Sequence, residues 1–307
     1  MSSRPDALPY EPFEQPPPAP ARMAETRPLY WSIRRELWEN RSVYLAPLIV
    51  AVVVLLSSAV NILTTAYRLR DADPGKAARI IFLGYSMAPA PIMLASFLVG
   101  FFYCLDALYG ERRDRSILFW KSMPVSDRTT VLSKAAIPLL VLPLIAYTLS
   151  VIAQLLLLPL GTAALLGNGT SAAPLWSELR FFQGLLIMAY GLAVHALWFA
   201  PIYGWLLLVS AWARRVPIVW AVLPPLVLGI ADRILFGSTH FKNLMGYRVM
   251  GAMTEAFTET TVRGHVNHLS QLDPGGFLGT PGLWNGLAFA AACLAIAVRL
   301  RRKREPI

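Results

Sequence analysis

The sequence is poor in charge and in cysteine, and both shortages narrow the class of protein. Only 15% of its 307 residues are charged, whereas 56% are hydrophobic and the mean hydropathy is +0.51. Such values lie above those of ordinary water-soluble domains and indicate a membrane protein. The two cysteines, Cys104 and Cys293, both fall in long apolar stretches, so we expect neither a disulfide framework nor a cysteine metal cluster.

The sequence also lacks the Gly-x-x-x-x-Gly-Lys-Ser/Thr string that cradles nucleotide phosphates, and we therefore expect no ATPase activity in this chain.

Long apolar runs take the place of the missing charge. A helix needs about 17 to 25 residues to cross about 30 Å of hydrocarbon, and continuous runs exclude the alternating pattern of barrel strands. We therefore predict an all-α integral membrane protein. Its six spans are expected at about 43–63, 80–108, 135–160, 181–209, 216–235 and 282–300.

The distribution of basic residues predicts the orientation. Of the 28 Lys and Arg residues, 19 lie in the segments on the side of the two chain ends and 9 in the opposite loops. The positive-inside rule then places both termini in the cytoplasm, and we expect a multi-pass protein of the cell inner membrane. The net charge of +10 matches a basic face against anionic lipid. No soluble basic domain is available for nucleic acid.

Two segments precede the first span. Residues 1–27 are rich in proline, so we expect a disordered cytoplasmic leader, followed by a membrane domain over 28–307. In PLYWSIRRELWENR, from Pro28 to Arg41, the apolar residues fall on one helical face, and we predict a helix lying in the inner membrane interface. Its predicted anchoring residues are Trp31, Ile33, Leu37 and Trp38, with Arg35, Glu36 and Glu39 on the opposite side.

A charged segment between the second and third spans, Gly110 to Lys134, contains six basic and three acidic residues. We expect one helix from Tyr109 to Met123, a stop at Pro124, and a second helix capped by Ser126 or Asp127. An apolar cluster lies among the charges and is typical of a surface that rests on lipid or docks a partner. Its members are Ile117, Leu118, Phe119, Trp120 and Met123.

Two stretches resemble a known family. ERRDRSILFWKSMPVSDRTTVLSK (Glu111 to Lys134) and APIYGWLLLVSAWARRVPIVWAVLPP (Ala200 to Pro225) are similar to segments of permease subunits of type 2 ATP-binding cassette exporters. The resemblance implies an exporter of an apolar or amphipathic substrate, built from two permeases and two separate ATPase subunits. No cofactor is expected in this chain, because ATP and magnesium would belong to the partner ATPase.

In such permeases the loop between the second and third spans is the coupling element that enters a cleft of the ATPase. We therefore expect Glu111 to Asp127 to make the contacts that differ between transport states. Charged residues would orient the partner and an apolar anchor would be buried against it. The predicted coupling residues are Asp114, Arg115, Phe119, Trp120, Lys121, Met123 and Asp127.

Two other functions remain open at the level of sequence. His195 lies inside the fourth span and, with Ser57 or Ser96 as nucleophile, would suit an intramembrane enzyme. An ion-coupled secondary transporter would need a buried acid, and Asp106 is the candidate. His240, His265 and His268 lack the carboxylate or cysteine that an established zinc spacing needs, so we expect no metal site.

Three weaker patterns complete the sequence. Prolines recur within or beside the spans and permit kinks. Gly282, Gly286 and Ala290 form a small-residue stripe that lets another helix approach closely. Met245, Val249, Met253 and Phe257 repeat every four residues and indicate an amphipathic helix at the outer surface.

Overall fold

The computed structural model describes residues 28–68, 74–122, 125–178, 181–258 and 268–303, and these residues are helical with no strand. Six helical stretches are long and apolar enough to cross a membrane, which makes this an all-α, multi-pass membrane protein. The predicted leader, residues 1–27, lies outside the described residues. The six stretches are Ser42–Arg68, Lys76–Arg113, Asp127–Gly167, Phe181–Trp212, Pro217–Phe236 and Pro281–Lys303.

The helices are labelled in chain order, and short helices lie between the long ones. They are α1 Pro28–Glu39, α2 Ser42–Arg68, α3 Pro74–Met87, α4 Pro89–Ala107, α5 Tyr109–Arg113, α6 Ser116–Ser122, α7 Asp127–Ala136, α8 Leu142–Gly167, α9 Ala173–Glu178, α10 Phe181–Trp212, α11 Pro217–Phe236, α12 His240–Ala256, α13 Pro274–Gly279 and α14 Pro281–Lys303. A π-helical turn, Ile137–Val141, joins α7 to α8, and a short 3₁₀ turn, Leu269–Gln271, precedes α13.

Proline interrupts two of the spans. Pro89 begins α4 after a turn at Ala88, so the second span is built from α3 and α4 rather than from one helix. In the third span, Pro138 lies in the π-helical turn. A proline lacks the backbone N–H that an α-helix needs, and a local change of hydrogen-bond register accommodates it. The helical stretch that contains the third span begins at Asp127, where the second helix of the charged segment was expected to start.

The charged segment between the second and third spans also differs from the prediction, which had one helix from Tyr109 to Met123. Arg115 has a φ of 58°, in the left-handed region, and this separates α5 from α6. The second expected feature is present, because the Ser126 side chain accepts a hydrogen bond from the Thr129 N–H and caps α7. The chain therefore turns at Arg115, where the sequence predicted a continuous helix. The predicted stop at Pro124 lies outside the described residues.

Helices α10 and α14 pack closely because a glycine faces a backbone. A Cβ added at Gly204 would lie 3.2 Å from Cα of Ala290. The small-residue stripe of α14 also makes room for side chains of α12, because Gly286 faces Arg248 and Gly282 faces Tyr247. Ala290 is thus the member of the stripe that meets another membrane helix.

Helix α12 turns a polar face toward the bundle. Arg248 donates to the Gly282 carbonyl at 2.7 Å and lies 4.7 Å from the ring centroid of Trp198. Three members of the predicted apolar repeat, Met245, Val249 and Met253, are exposed, whereas the fourth, Phe257, lies just after α12 and is buried in the core. Helix α11 is the least packed of the long helices, with Ala221 as its buried residue.

Two ends of the bundle are distinguished by charge. We call one the charged end, where α1, α5, α6, α7 and the last turn of α14 meet. The other, the opposite end, contains α9, α12, α13 and the first turns of α10 and α14.

Candidate functional site

The charged end contains a group of buried ionised side chains that we call the ion cluster. Its four innermost members are Glu36, Glu111, Lys134 and Arg301, with relative exposures of 0, 8, 2 and 4%. Arg35 and Asp127 complete it at the margin. Charged side chains are rarely buried unless they are paired, so the geometry of these pairs decides whether the cluster is stable.

Lys134 lies at the centre of the cluster. Its Nζ atom is 2.9 Å from Oε1 of Glu36 and 3.1 Å from Oε1 of Glu111. The other Glu36 oxygen accepts a hydrogen bond from the Tyr103 hydroxyl at 2.8 Å. One ammonium group therefore joins two carboxylates that are 75 positions apart in the chain.

Two arginines close the cluster on either side. Arg301 Nη2 lies 3.1 Å from Oε2 of Glu111, and Arg301 Nη1 donates to Asp127. Arg35 Nη2 lies 2.7 Å from Glu36 and 3.4 Å from Glu111. Three carboxylates thus meet three cations, and this balance lets the charges remain ionised away from water.

The members of the ion cluster come from different helices. Glu36 belongs to α1, Glu111 to α5, and Arg301 to α14. Asp127 and Lys134 are seven residues apart on α7, which is about two helical turns. Their side chains therefore project from the same face of the helix. The ion cluster therefore connects α5 and α7 to α1 and to the end of α14.

The electrostatics keep the Glu36 carboxyl ionised. Burial alone would raise the pKa of Glu36, but Lys134 and Arg35 oppose that effect, and the pKa lies below its ordinary value. At neutral pH this carboxylate is therefore charged and holds its partners.

The remaining coupling residues lie outside the cluster. Asp114 is exposed, and a hydrogen bond from Arg113 at 2.9 Å lowers the pKa of its carboxyl. Arg115 occupies the left-handed turn. Phe119 is 60% exposed, whereas its neighbour Ile117 is buried. The side chains of Trp120, Lys121 and Met123 lie outside the described residues.

The first helix buries its polar side. The sequence predicted that Glu36 lies on the polar side of this helix, opposite the lipid anchors. In the structure Glu36 and Ser32 are instead buried against the rest of the protein. Ile33 and Leu37 are half-buried against the core, and Trp31 and Trp38 are exposed. The Arg34 guanidinium lies 5.3 and 4.8 Å from the centroids of these two tryptophan rings.

His195 and its proposed nucleophiles occupy a different part of the bundle. His195 Nε2 lies 3.2 Å from the Tyr203 hydroxyl. It shares a cavity of about 10 Å³ with Ser96, which is room for about one water molecule. The Ser96 hydroxyl donates to the Ile92 carbonyl, and Ser57 donates to that of Val54.

The other candidate positions are less enclosed. The Asp106 side chain is 59% exposed and lies 3.5 Å from Arg113. His240 and His268 belong to no cluster of three or more metal-ligating side chains among the described residues. His265 lies outside those residues.

Sequence reasoning missed the ion cluster because its members resemble ordinary flanking charges. Lys134 and Arg301 lie at the ends of apolar runs, where the positive-inside rule already accounts for basic residues. The seven-residue spacing of Asp127 and Lys134 was the available signal, since it places opposite charges on one helical face. No family model, curated protein or solved structure matches this chain.

Proposed function

We propose that this chain is the permease subunit of an ATP-driven exporter and that a separate ATPase subunit binds its coupling segment, Glu111 to Asp127. The observation that carries the proposal is the ion cluster, because it links this segment to helices at both ends of the chain. The resemblance of Glu111 to Lys134 and Ala200 to Pro225 to exporter permeases supports the same function. The expected cargo is apolar or amphipathic, and ATP and magnesium would be bound by the partner.

The cluster offers a physical route for force. A push on α6 reaches α5, to which α6 is joined at Arg115, and the ion pairs of Glu111 carry it to α7 and α14. Removing one partner of a buried ion pair costs about 3–5 kcal/mol. Helices α1, α7 and α14 would therefore move with the segment rather than separate from it. Shifting a permease from 1:99 to 99:1 between two states needs about 5.5 kcal/mol of differential interaction, so coupling requires a rigid connection of this kind.

The partner surface would be centred on α6. Leu118 and Phe119 are 59 and 60% exposed, while Ile117 is buried beneath them and anchors the helix. Exposed aromatic side chains on a fixed support are typical centres of protein interfaces. Asp114 is exposed beside them and would orient the partner by its charge.

The proposed assembly has two permeases and two ATPases, with the charged end in the cytoplasm. A second copy of the chain would pack against membrane helices that are poorly covered within one copy. Helix α11, which buries only Ala221, is the best candidate for that contact.

Purification of the complete chain from its native membranes tests the proposal. We expect an ATPase subunit to copurify and the preparation to hydrolyse Mg-ATP. Phe119→Ser should weaken copurification by removing an apolar contact from α6. The matched control is Phe182→Ser, an exposed phenylalanine at the opposite end, which should leave copurification unchanged. A well-folded chain that purifies without any ATPase would reject the proposed function.

Cysteine labelling tests the orientation separately. Leu118→Cys introduces an exposed thiol on α6, and the two native cysteines are buried. A membrane-impermeant maleimide should label this variant in inside-out vesicles from which peripheral subunits have been washed, and leave it unlabelled in intact cells. Labelling from outside intact cells would place the coupling segment on the wrong side for a cytoplasmic ATPase.

A further inference from the structure

A groove lies where α10 turns into α11 at the charged end. The turn consists of residues 213–216 and leaves a space of about 310 Å³. Its lining residues are Trp212, Ala213, Arg214 and Trp220. This volume falls at the lower end of the range for small-molecule sites, about 300–1,000 Å³, and suits a headgroup rather than a whole lipid.

The turn is held in place from the neighbouring helices. Arg112 Nη2 donates to the carbonyls of Ser210 and Ala213, both at 2.7 Å. The Ser210 hydroxyl oxygen in turn accepts hydrogen bonds from the backbone N–H groups of Leu108 and Tyr109, at 3.0 and 2.9 Å. Six polar groups, from α5, α10 and the residues that directly adjoin them, thus fix this corner, so the groove is a built feature of the fold.

The backbone of the turn is strained. Val216 has a φ of 44°, in the left-handed region that β-branched residues strongly disfavour. Strained residues persist where surrounding contacts over-determine them, and such positions cluster at binding and switching sites. The strain of Val216 accordingly points to a turn shaped by the Arg112 contacts rather than by local preference.

The groove combines positive charge with aromatic rings. Arg214 and Arg215 are exposed, and neither forms an ion pair within the part of the chain that the structure describes. The rings of Trp212 and Trp220 meet edge to face at 4.8 Å, and each side chain is about 40% exposed. Tryptophan is enriched at the depth of lipid headgroups, and the planar guanidinium of arginine matches the oxygens of a phosphate.

We propose that this groove binds the phosphate of an anionic phospholipid, with Arg214 as the direct ligand and the two tryptophans beside the glycerol and first acyl carbons. The membrane is the source of the phosphate because the groove lies at the end of two membrane helices. Basic pockets between membrane helices are known to take anionic headgroups. This inference is independent of the proposed transport function, since it needs neither an ATPase nor a cargo.

Native mass spectrometry of the detergent-solubilised full chain tests it. Phosphatidylglycerol and phosphatidylcholine are added at matched concentrations, and the dissociation constant of the tightest bound lipid is measured. We expect tighter binding of phosphatidylglycerol, and a loss of about tenfold or more in Arg214→Gln, the range for a hydrogen bond to a charged group. Arg299→Gln removes an exposed arginine near the end of α14 and should not change the affinity.

Two further experiments identify the source of the phosphate and control for misfolding of the variant. Millimolar inorganic phosphate should not displace the lipid, and displacement would show a site for a soluble anion instead. Arg214→Lys retains the charge and should keep most of the affinity. If Arg214→Gln does not fold, the preference of the wild type for phosphatidylglycerol over phosphatidylcholine decides the question. Equal binding of both lipids, or an unchanged affinity in Arg214→Gln, would overturn the proposal.

Discussion

Replacing Lys134 with methionine is the sharpest test of the ion cluster. Methionine keeps most of the length of the side chain but removes the ammonium group that lies 2.9 Å from Glu36 and 3.1 Å from Glu111. Glu36 would retain Arg35 and Tyr103, and Glu111 would retain Arg301. The variant therefore leaves one uncompensated negative charge inside the charged end.

The cost follows from charge balance. At an effective dielectric constant of about 20, each of the two lost contacts corresponds to about 5–6 kcal/mol of gross Coulomb attraction. Much of this attraction is offset by the cost of removing the lysine ammonium group from water. The methionine variant avoids that cost. Removing one partner of a buried ion pair typically destabilises a protein by about 3–5 kcal/mol, and we expect a loss in that range in the free energy of unfolding.

A double-mutant cycle isolates the electrostatic part. Glu36→Gln in the Lys134→Met background restores equal numbers of carboxylates and cations, so the double variant should lose less stability than the sum of the single variants. The expected difference is about 1–3 kcal/mol, the range for directly coupled residues. Unfolding is followed by circular dichroism during titration with sodium dodecyl sulfate in mixed micelles.

The control for this cycle is Lys303→Met. Lys303 is exposed at the same end, and its replacement should change stability by no more than about 0.5 kcal/mol. Strictly additive losses in the cycle would refute the argument, because they would mean that Glu36 and Lys134 do not interact in the folded protein.

Two other predictions concern acid stability and helix packing. Because the pKa of Glu36 is lowered in the folded protein, its contribution is present above the unfolded value of about 4.3 and is lost as the pH falls through the lower folded value. The midpoint temperature of thermal unfolding in detergent should therefore fall more steeply below about pH 4.3 for the wild type than for Glu36→Gln. Parallel pH dependences of the two midpoints would contradict this. Gly204→Val should destabilise by about 1–3 kcal/mol, because its Cβ would lie 3.2 Å from Cα of Ala290. The control is Gly191→Ala in the same helix, because a Cβ added there would have no atom within 4 Å. This change should leave stability unchanged or raise it by up to about 1 kcal/mol. Equal effects of the two changes would argue against close packing of α10 on α14.

Much of the helical framework could be predicted because it depends on local chemistry. A long apolar run must be helical in lipid to satisfy its own backbone groups. Ser126 caps α7 through its own side chain and the Thr129 N–H, which again involves neighbours in the chain. Such features require no knowledge of how distant segments pack.

Predictions failed where a charge or a turn depended on distant contacts. The helix that Ser126 caps was predicted, but the partners of its Lys134 were not. Glu36 and Glu111, which are distant in the chain, neutralise this lysine in the structure. The left-handed turn at Arg115 was missed because neither glycine nor asparagine marks that position.

The amino-acid sequence by itself determined that this protein is a bundle of apolar helices with a charged segment between its second and third spans, because hydrophobic runs and caps act over a few residues. Only the tertiary structure decided that Glu36, Glu111, Lys134 and Arg301 form one cluster. These residues come from four helices, and an ion pair forms over distances of about 3–4 Å that helix packing alone can establish. The connection between the coupling segment and the rest of the bundle is therefore a property of the fold.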